Sequence, residues 1–180
     1  MDAIDAQASV LVLVDYQARL MPAIHDAAAV AARAVLLAQA AHTLGIPVIG
    51  TEQNPAGLGP NVEPVRAQCR LTLAKTRFDA CADGLVQALH EAKPGCGQVV
   101  VAGCEAHVCL LQTVLQLIED EFEVWVVTDA CGSRTERNRD AAYDRLAAAG
   151  CELVSTEMVG FEWLGDAGHP RFRDWQGLIR

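Results

Sequence analysis

Residues 98–120 read QVVVAGCEAHVCLLQTVLQLIED: a β-branched run, then a turn of small residues, then a stretch of good helix formers. The apolar residues at 98–102 are continuous rather than alternating. A strand of that kind is buried on both faces, which happens inside a parallel sheet covered by helices. Similar runs recur at 9–14 (SVLVLV), 46–50 (IPVIG), 123–128 (EVWVVT) and 151–154 (CELV). Ala- and Leu-rich stretches with one polar side lie between them, at 26–44, 82–92, 106–120 and 134–149, and predict helices. Gly45 before Ile46 and Gly150 before Cys151 stand where a left-handed helix stop belongs. Strands alternating with helices predict an α/β fold of doubly wound, Rossmann-like type, with a parallel sheet and helices on both faces. Residues 71–77 (LTLAKTR) fit either a strand end or an extended loop. The tail from about 170 predicts a short amphipathic helix with proline in its first turn, held down by Trp175 and Leu178.

At 180 residues the chain has the size of one domain, and no repeat or linker divides it, so one domain is expected over 1–180. With 52% hydrophobic and 21% charged residues it is too apolar for disorder, and no apolar run reaches the roughly 18 residues of a membrane span. A net charge of −9 argues against nucleic acid as a partner. Two aspartates precede the first apolar run, with no basic segment, so no signal peptide is read and a cytoplasmic protein is expected. The seven cysteines, at 69, 81, 96, 104, 109, 131 and 151, form no CxxC and fit free thiols in a reducing compartment.

Ligands of open parallel sheets bind beyond the carboxyl ends of the strands, which singles out Asp15 after LVLV, Glu52 after IPVIGT, and the turn GCEAHVC. A carboxylate such as Asp15 serves there as a helix cap or as a base. Most free cysteines are small buried hydrophobes. Cys109 differs by its place in the first turn of a helix beginning near Glu105, where backbone N–H groups favour a thiolate; a nearby cation would lower its pKa further. Lys75 is unusual in a chain with twelve arginines and two lysines, and its compact ammonium suits a buried site; a solvated strand-end lysine is the plain alternative.

These residues carry a resemblance. LVLVDYQ at 11–17, LAKTRFDA at 73–80 and VVVAGCEAHVCLLQTVLQL at 99–117 are similar, in order and spacing, to three signature segments of the isochorismatase-like cysteine hydrolase superfamily. TEQNPAGLG at 51–59, VVTDACGSR at 126–134 and GDAGHPRF at 165–172 resemble in particular its isochorismatase-domain-containing proteins. The resemblance implies a sheet of about six parallel strands and a catalytic triad of Asp15, Lys75 and Cys109 that cleaves a C–N bond of a small-molecule amide through a thioester. It implies a cis peptide from Cys104 to Glu105, and an oxyanion hole from the backbone N–H groups of Glu105 and Cys109. It implies a homo-oligomer and no cofactor. Gln17, Glu52, Gln53 and His107 are placed around the substrate, Gln17 by resemblance and with plain loop bonding as its alternative. Glu52, Gln53 and Asn54 stand where related nicotinamidases keep a metal set that includes histidine, so no metal is expected, and nicotinamidase activity is disfavoured. Isochorismatase activity proper is disfavoured too, since enzymes with that activity characteristically lack this cysteine. Asp129 and Arg134 are read as a cap or an internal ion pair.

Two other classes are weighed. A dinucleotide-binding oxidoreductase lacks its GxGxxG after the first strand. A non-catalytic small-molecule binder, or a thiol redox sensor using Cys109, is separated from an enzyme by turnover against stoichiometric modification.

Overall fold

In the computed structural model, which describes residues 3–180, every β-branched run forms a strand. Asp2, one of the two early aspartates, lies outside the described residues. In chain order the elements are β1 (Ser9–Val14), α1 (Ala27–Thr43), β2 (Val48–Gln53), α2 (Pro55–Leu58), α3 (Glu63–Arg66), β3 (Leu71–Lys75), α4 (Leu85–Ala92), β4 (Gln98–Gly103), α5 (Leu111–Glu119), β5 (Glu123–Val127), α6 (Glu136–Ala148), β6 (Glu152–Val154), α7 (Thr156–Leu164) and α8 (Phe172–Leu178). β1 and β4 are buried along their whole length, which is why their sequences do not alternate. The sheet order is β3-β2-β1-β4-β5-β6, and every pairing is parallel. Helices flank the sheet, completing a single doubly wound domain. The chain winds outward in both directions from the neighbours β1 and β4, so the carboxyl ends of those two strands open the crevice where such folds bind ligands.

Some elements depart from the sequence reading or settle what it left open. β2 extends through Gln53 because its polar end Thr51–Gln53 pairs with β3, the ladder overriding a loop-like composition. The ambiguous 71–77 segment resolves into the edge strand β3, whose Lys75 sits opposite Gln53. α7 was not anticipated; Ser155 caps it, its Oγ accepting the Met158 N–H at 3.3 Å. α8 begins at Phe172, so Pro170 precedes the helix, and its Trp175 is buried against Gly160.

One close approach fixes the centre of the sheet. Gly103, at φ 153°, faces β1 so tightly that an added Cβ would lie 2.3 Å from the Val14 carbonyl oxygen. Gly103→Ala is therefore expected to cost at least about 1–3 kcal/mol through overpacking and strain. The cost should show as a lower urea midpoint at unchanged m-value. A midpoint equal to wild type would show that the contact yields freely.

Candidate active site

Four strands bring their carboxyl ends to one place. Asp15 follows β1 directly and leaves the strand at φ 52°, a left-handed conformation that Asp tolerates better than bulkier residues. Its carboxylate is fully buried, with Oδ2 2.8 Å from Lys75 Nζ and Oδ1 accepting the Thr51 hydroxyl at 2.7 Å. Lys75 comes from the end of β3, and its ammonium also donates to Gln53 Oε1 at 2.7 Å and to the carbonyls of Phe78 and Arg77 at 3.3 and 3.4 Å. A buried charge pair persists only when its remaining donors and acceptors are satisfied, and these contacts do that. Thr51 and Gln53 reach Asp15 and Lys75 because residues two apart on a strand share a face.

Cys109 arrives from the other half of the sheet. β4 ends at Gly103, the Cys104–Glu105 peptide is cis, and a π-helical turn at Ala106–Leu110 leads into α5. Cys109 is 6% exposed, its thiol lies 3.8 Å from Gln53 Oε1, and the Asp15 and Lys75 charges are near enough to act on it. Its acidity is opposite to the sequence expectation. Burial pushes the thiol up to about 12, the Asp15 charge adds to the rise, and Lys75 only partly opposes it. The expected stabilisation by a helix start is outweighed by desolvation, and Lys75 is already committed to Asp15. The resting nucleophile candidate is thus a neutral thiol beside a carboxylate.

The segment after β5 backs this turn. Gly132 O accepts the Ala106 N–H at 2.8 Å, and His107 Nδ1 is 3.0 Å from Ser133 Oγ. Arg134 grips Glu105, with Nη2 2.6 Å from Oε1, and with Nε 3.0 Å and its own backbone N–H 2.9 Å from Oε2. Burial alone would raise the Glu105 carboxyl, but the Arg134 hydrogen bonds outweigh it and hold the group below the usual carboxylate range. Among the described residues, the Glu105 N–H has no acceptor and the Cys109 N–H has none outside its own turn.

Several sequence candidates sit elsewhere. Gln17 is fully buried; its Nε2 donates to Gln53 O at 2.9 Å and Gly59 O at 2.7 Å, and its Oε1 accepts the Gln53 N–H at 2.8 Å. The loop-bonding alternative therefore describes it, with no amide proton left for a ligand. Glu52 accepts the Asn61 N–H at 2.8 Å, because alternation along β2 turns it away from Thr51 and Gln53. Asp129 accepts from the Thr156 N–H and hydroxyl at 2.8 and 2.9 Å, a cap for α7, whereas Arg134 pairs with Glu105; the two do not pair with each other. The sequence reading missed the part played by Gln53, which links Lys75 to Cys109 and is itself anchored by Nε2 to Thr76 O at 2.6 Å. The Glu52–Asn54 stretch does not fit a metal, since Glu52 is turned away and Gln53 is engaged. No group of three or more His, Cys, Asp or Glu among the described residues is placed to hold one.

The charges predict an unusual response to Asp15→Asn. Removing the carboxylate takes away a charge that raises the thiol pKa and leaves Lys75 to pair with sulfur. The apparent pKa of Cys109 should fall, and the pH profile of iodoacetamide labelling, read by peptide mass spectrometry, should shift to lower pH. A profile unmoved or shifted to higher pH would contradict this electrostatic account.

The doubly wound sheet carries a buried thiol, carboxylate and ammonium at its switch point. Comparison with known proteins supplies the family. The isochorismatase domain family model matches residues 9–158. Isochorismatase domain-containing protein 1 of Danio rerio is 39% identical over 173 residues, covering 96% of this chain and 61% of that protein, so this chain spans less than two thirds of that relative's length. The MAR1 ribonuclease structure from Caenorhabditis elegans superposes with a TM-score of 0.92 at 31% identity, covering 99% of this chain and 92% of that one. The Escherichia coli YcaC structure, described as an octameric hydrolase of unknown specificity, gives 0.84 at 28%, covering 99% and 95%. The chain belongs to the isochorismatase family.

Proposed function

We propose that this chain is a cytoplasmic, metal-free cysteine hydrolase that cleaves the C–N bond of a small amide with a triad of Asp15, Lys75 and Cys109. The observation that carries this reading is the convergence of a thiol, a carboxylate and an ammonium, each nearly or fully buried, around Gln53 at the switch point of the sheet. Asp15 takes the thiol proton as sulfur attacks the carbonyl carbon, and Lys75 holds the carboxylate in place. The C=O electron pair moves onto oxygen, which the N–H groups of Glu105 and Cys109 receive. Collapse breaks the C–N bond, the amine leaves with the proton from Asp15, and a thioester remains on Cys109. Asp15 then draws a proton from water as the water oxygen attacks the thioester carbon, the C–S bond breaks to release the acid, and the proton returns from Asp15 to the Cys109 sulfur. His107, within the nucleophile's turn, is the remaining candidate substrate contact, through the edge of its ring that Ser133 leaves free. The octameric YcaC neighbour supports assembly into a homo-oligomer. No helix among the described residues is long and apolar enough to cross a membrane.

The C. elegans neighbour bears the name ribonuclease. Here the chain's net charge is −9, and both cations at the site, Lys75 and Arg134, are held by carboxylates, which favours an uncharged amide over a polyanion. The test is ammonia release from a panel of small primary amides, with RNA cleavage measured in parallel. Amide turnover is the expected result. Cleavage of RNA without amide turnover, or stoichiometric modification of Cys109 alone, would overturn the reading.

A further inference from the structure

The CGSR stretch after β5 has no part in the triad, yet it holds the nucleophile's turn from behind. Gly132 bridges Cys104 and accepts the Ala106 N–H, Ser133 meets His107, and Arg134 takes both oxygens of Glu105. We propose that Arg134 is a positioning residue that sets the aim of the oxyanion-binding N–H groups of Glu105 and Cys109. This inference rests on the hydrolase reading above.

The geometry favours positioning over mere stability. The Glu105 side chain is 5% exposed, whereas that of Arg134 is 61% exposed, so solvent screens much of their attraction. What the pair supplies is direction. A planar guanidinium gripping both carboxylate oxygens, with the Arg134 backbone N–H added on one of them, leaves Glu105 little freedom to rotate. Glu105 is the residue whose N–H has no acceptor among the described residues, and its carbonyl accepts the Val108 N–H at 3.0 Å, so its orientation carries into the turn that presents Cys109. Lysine at 134 would keep the charge and lose the fork.

Two electrophiles separate this role from a structural one. With acrylamide, an S–C bond forms at the terminal alkene carbon, the C=C electron pair shifts so that charge collects on the carbonyl oxygen, and the thiol proton passes to Asp15 and then to the α-carbon. With iodoacetamide, the thiol proton passes to Asp15 and an S–C bond forms as the C–I bond breaks and iodide leaves, with no charge gathering on oxygen. Oxyanion donors accelerate the first reaction and not the second. In the full chain the acrylamide-to-iodoacetamide rate ratio at Cys109, read by peptide mass spectrometry, is expected to exceed that of glutathione. It should fall at least tenfold in Arg134→Ala and in Glu105→Gln, and recover only partly in Arg134→Lys, with iodoacetamide rates within twofold of wild type. A ratio unchanged in Arg134→Ala, or both rates falling together, would overturn the positioning role while leaving the triad standing. A wild-type ratio no higher than glutathione's removes the oxyanion site itself, and this proposal with it.

Discussion

Cys109→Ala is expected to lower amide turnover by at least about 10³-fold, because the proposed thioester forms on its sulfur. The protein should stay folded, since truncating a small, nearly buried side chain removes one sulfur from contact and costs on the order of 1 kcal/mol. Serine tests the chemistry separately from the packing. It is close in shape and can donate to Gln53 Oε1 as the thiol does, but its hydroxyl is far harder to deprotonate beside a carboxylate. Both variants should be inactive in the ammonia-release assay while unfolding near the wild-type midpoint. Retention of turnover within tenfold in the alanine variant would move the nucleophile elsewhere.

Lys75→Met should be the most destabilising change at the site. It leaves the fully buried Asp15 carboxylate with the Thr51 hydroxyl and no cation, and breaking a buried pair from one side costs about 3–5 kcal/mol. Adding Asp15→Asn removes the orphaned charge, so the double variant should be more stable than Lys75→Met alone, with a coupling of about 1–3 kcal/mol. Urea denaturation of the wild type, both single variants and the double variant measures this directly. A loss below about 1 kcal/mol in Lys75→Met would mean that Asp15 finds another partner or takes up a proton. The pair also explains why the thiol is neutral at rest: the cation that would make it acidic is already held by the carboxylate that is proposed to take its proton.

Much of the architecture is legible in local patterns. Continuous β-branched runs declare strands buried on both faces, and the Ala- and Leu-rich stretches between them declare helices, because burial and backbone preference act within a few residues. Where polar residues sit inside a strand, as at Thr51–Gln53, the signal fails, since pairing with β3 and not composition makes them extended. α7 follows no such run, and the cap that starts it, Ser155, is evident from the structure.

The site divides the same way. The sequence by itself determined the alternating sheet and, through motif order, the prominence of Asp15, Lys75 and Cys109; those features follow from residue type and spacing along the chain. Only the tertiary structure decided that Gln53 joins Lys75 to Cys109, that Glu52 and Gln17 serve the backbone, that Arg134 grips Glu105, and that the thiol pKa rises instead of falling. Each of these depends on which way a side chain points and on how much water is left around it. Both are set by the register between strands far apart in sequence and by burial in the finished fold, and neither is encoded in any local stretch.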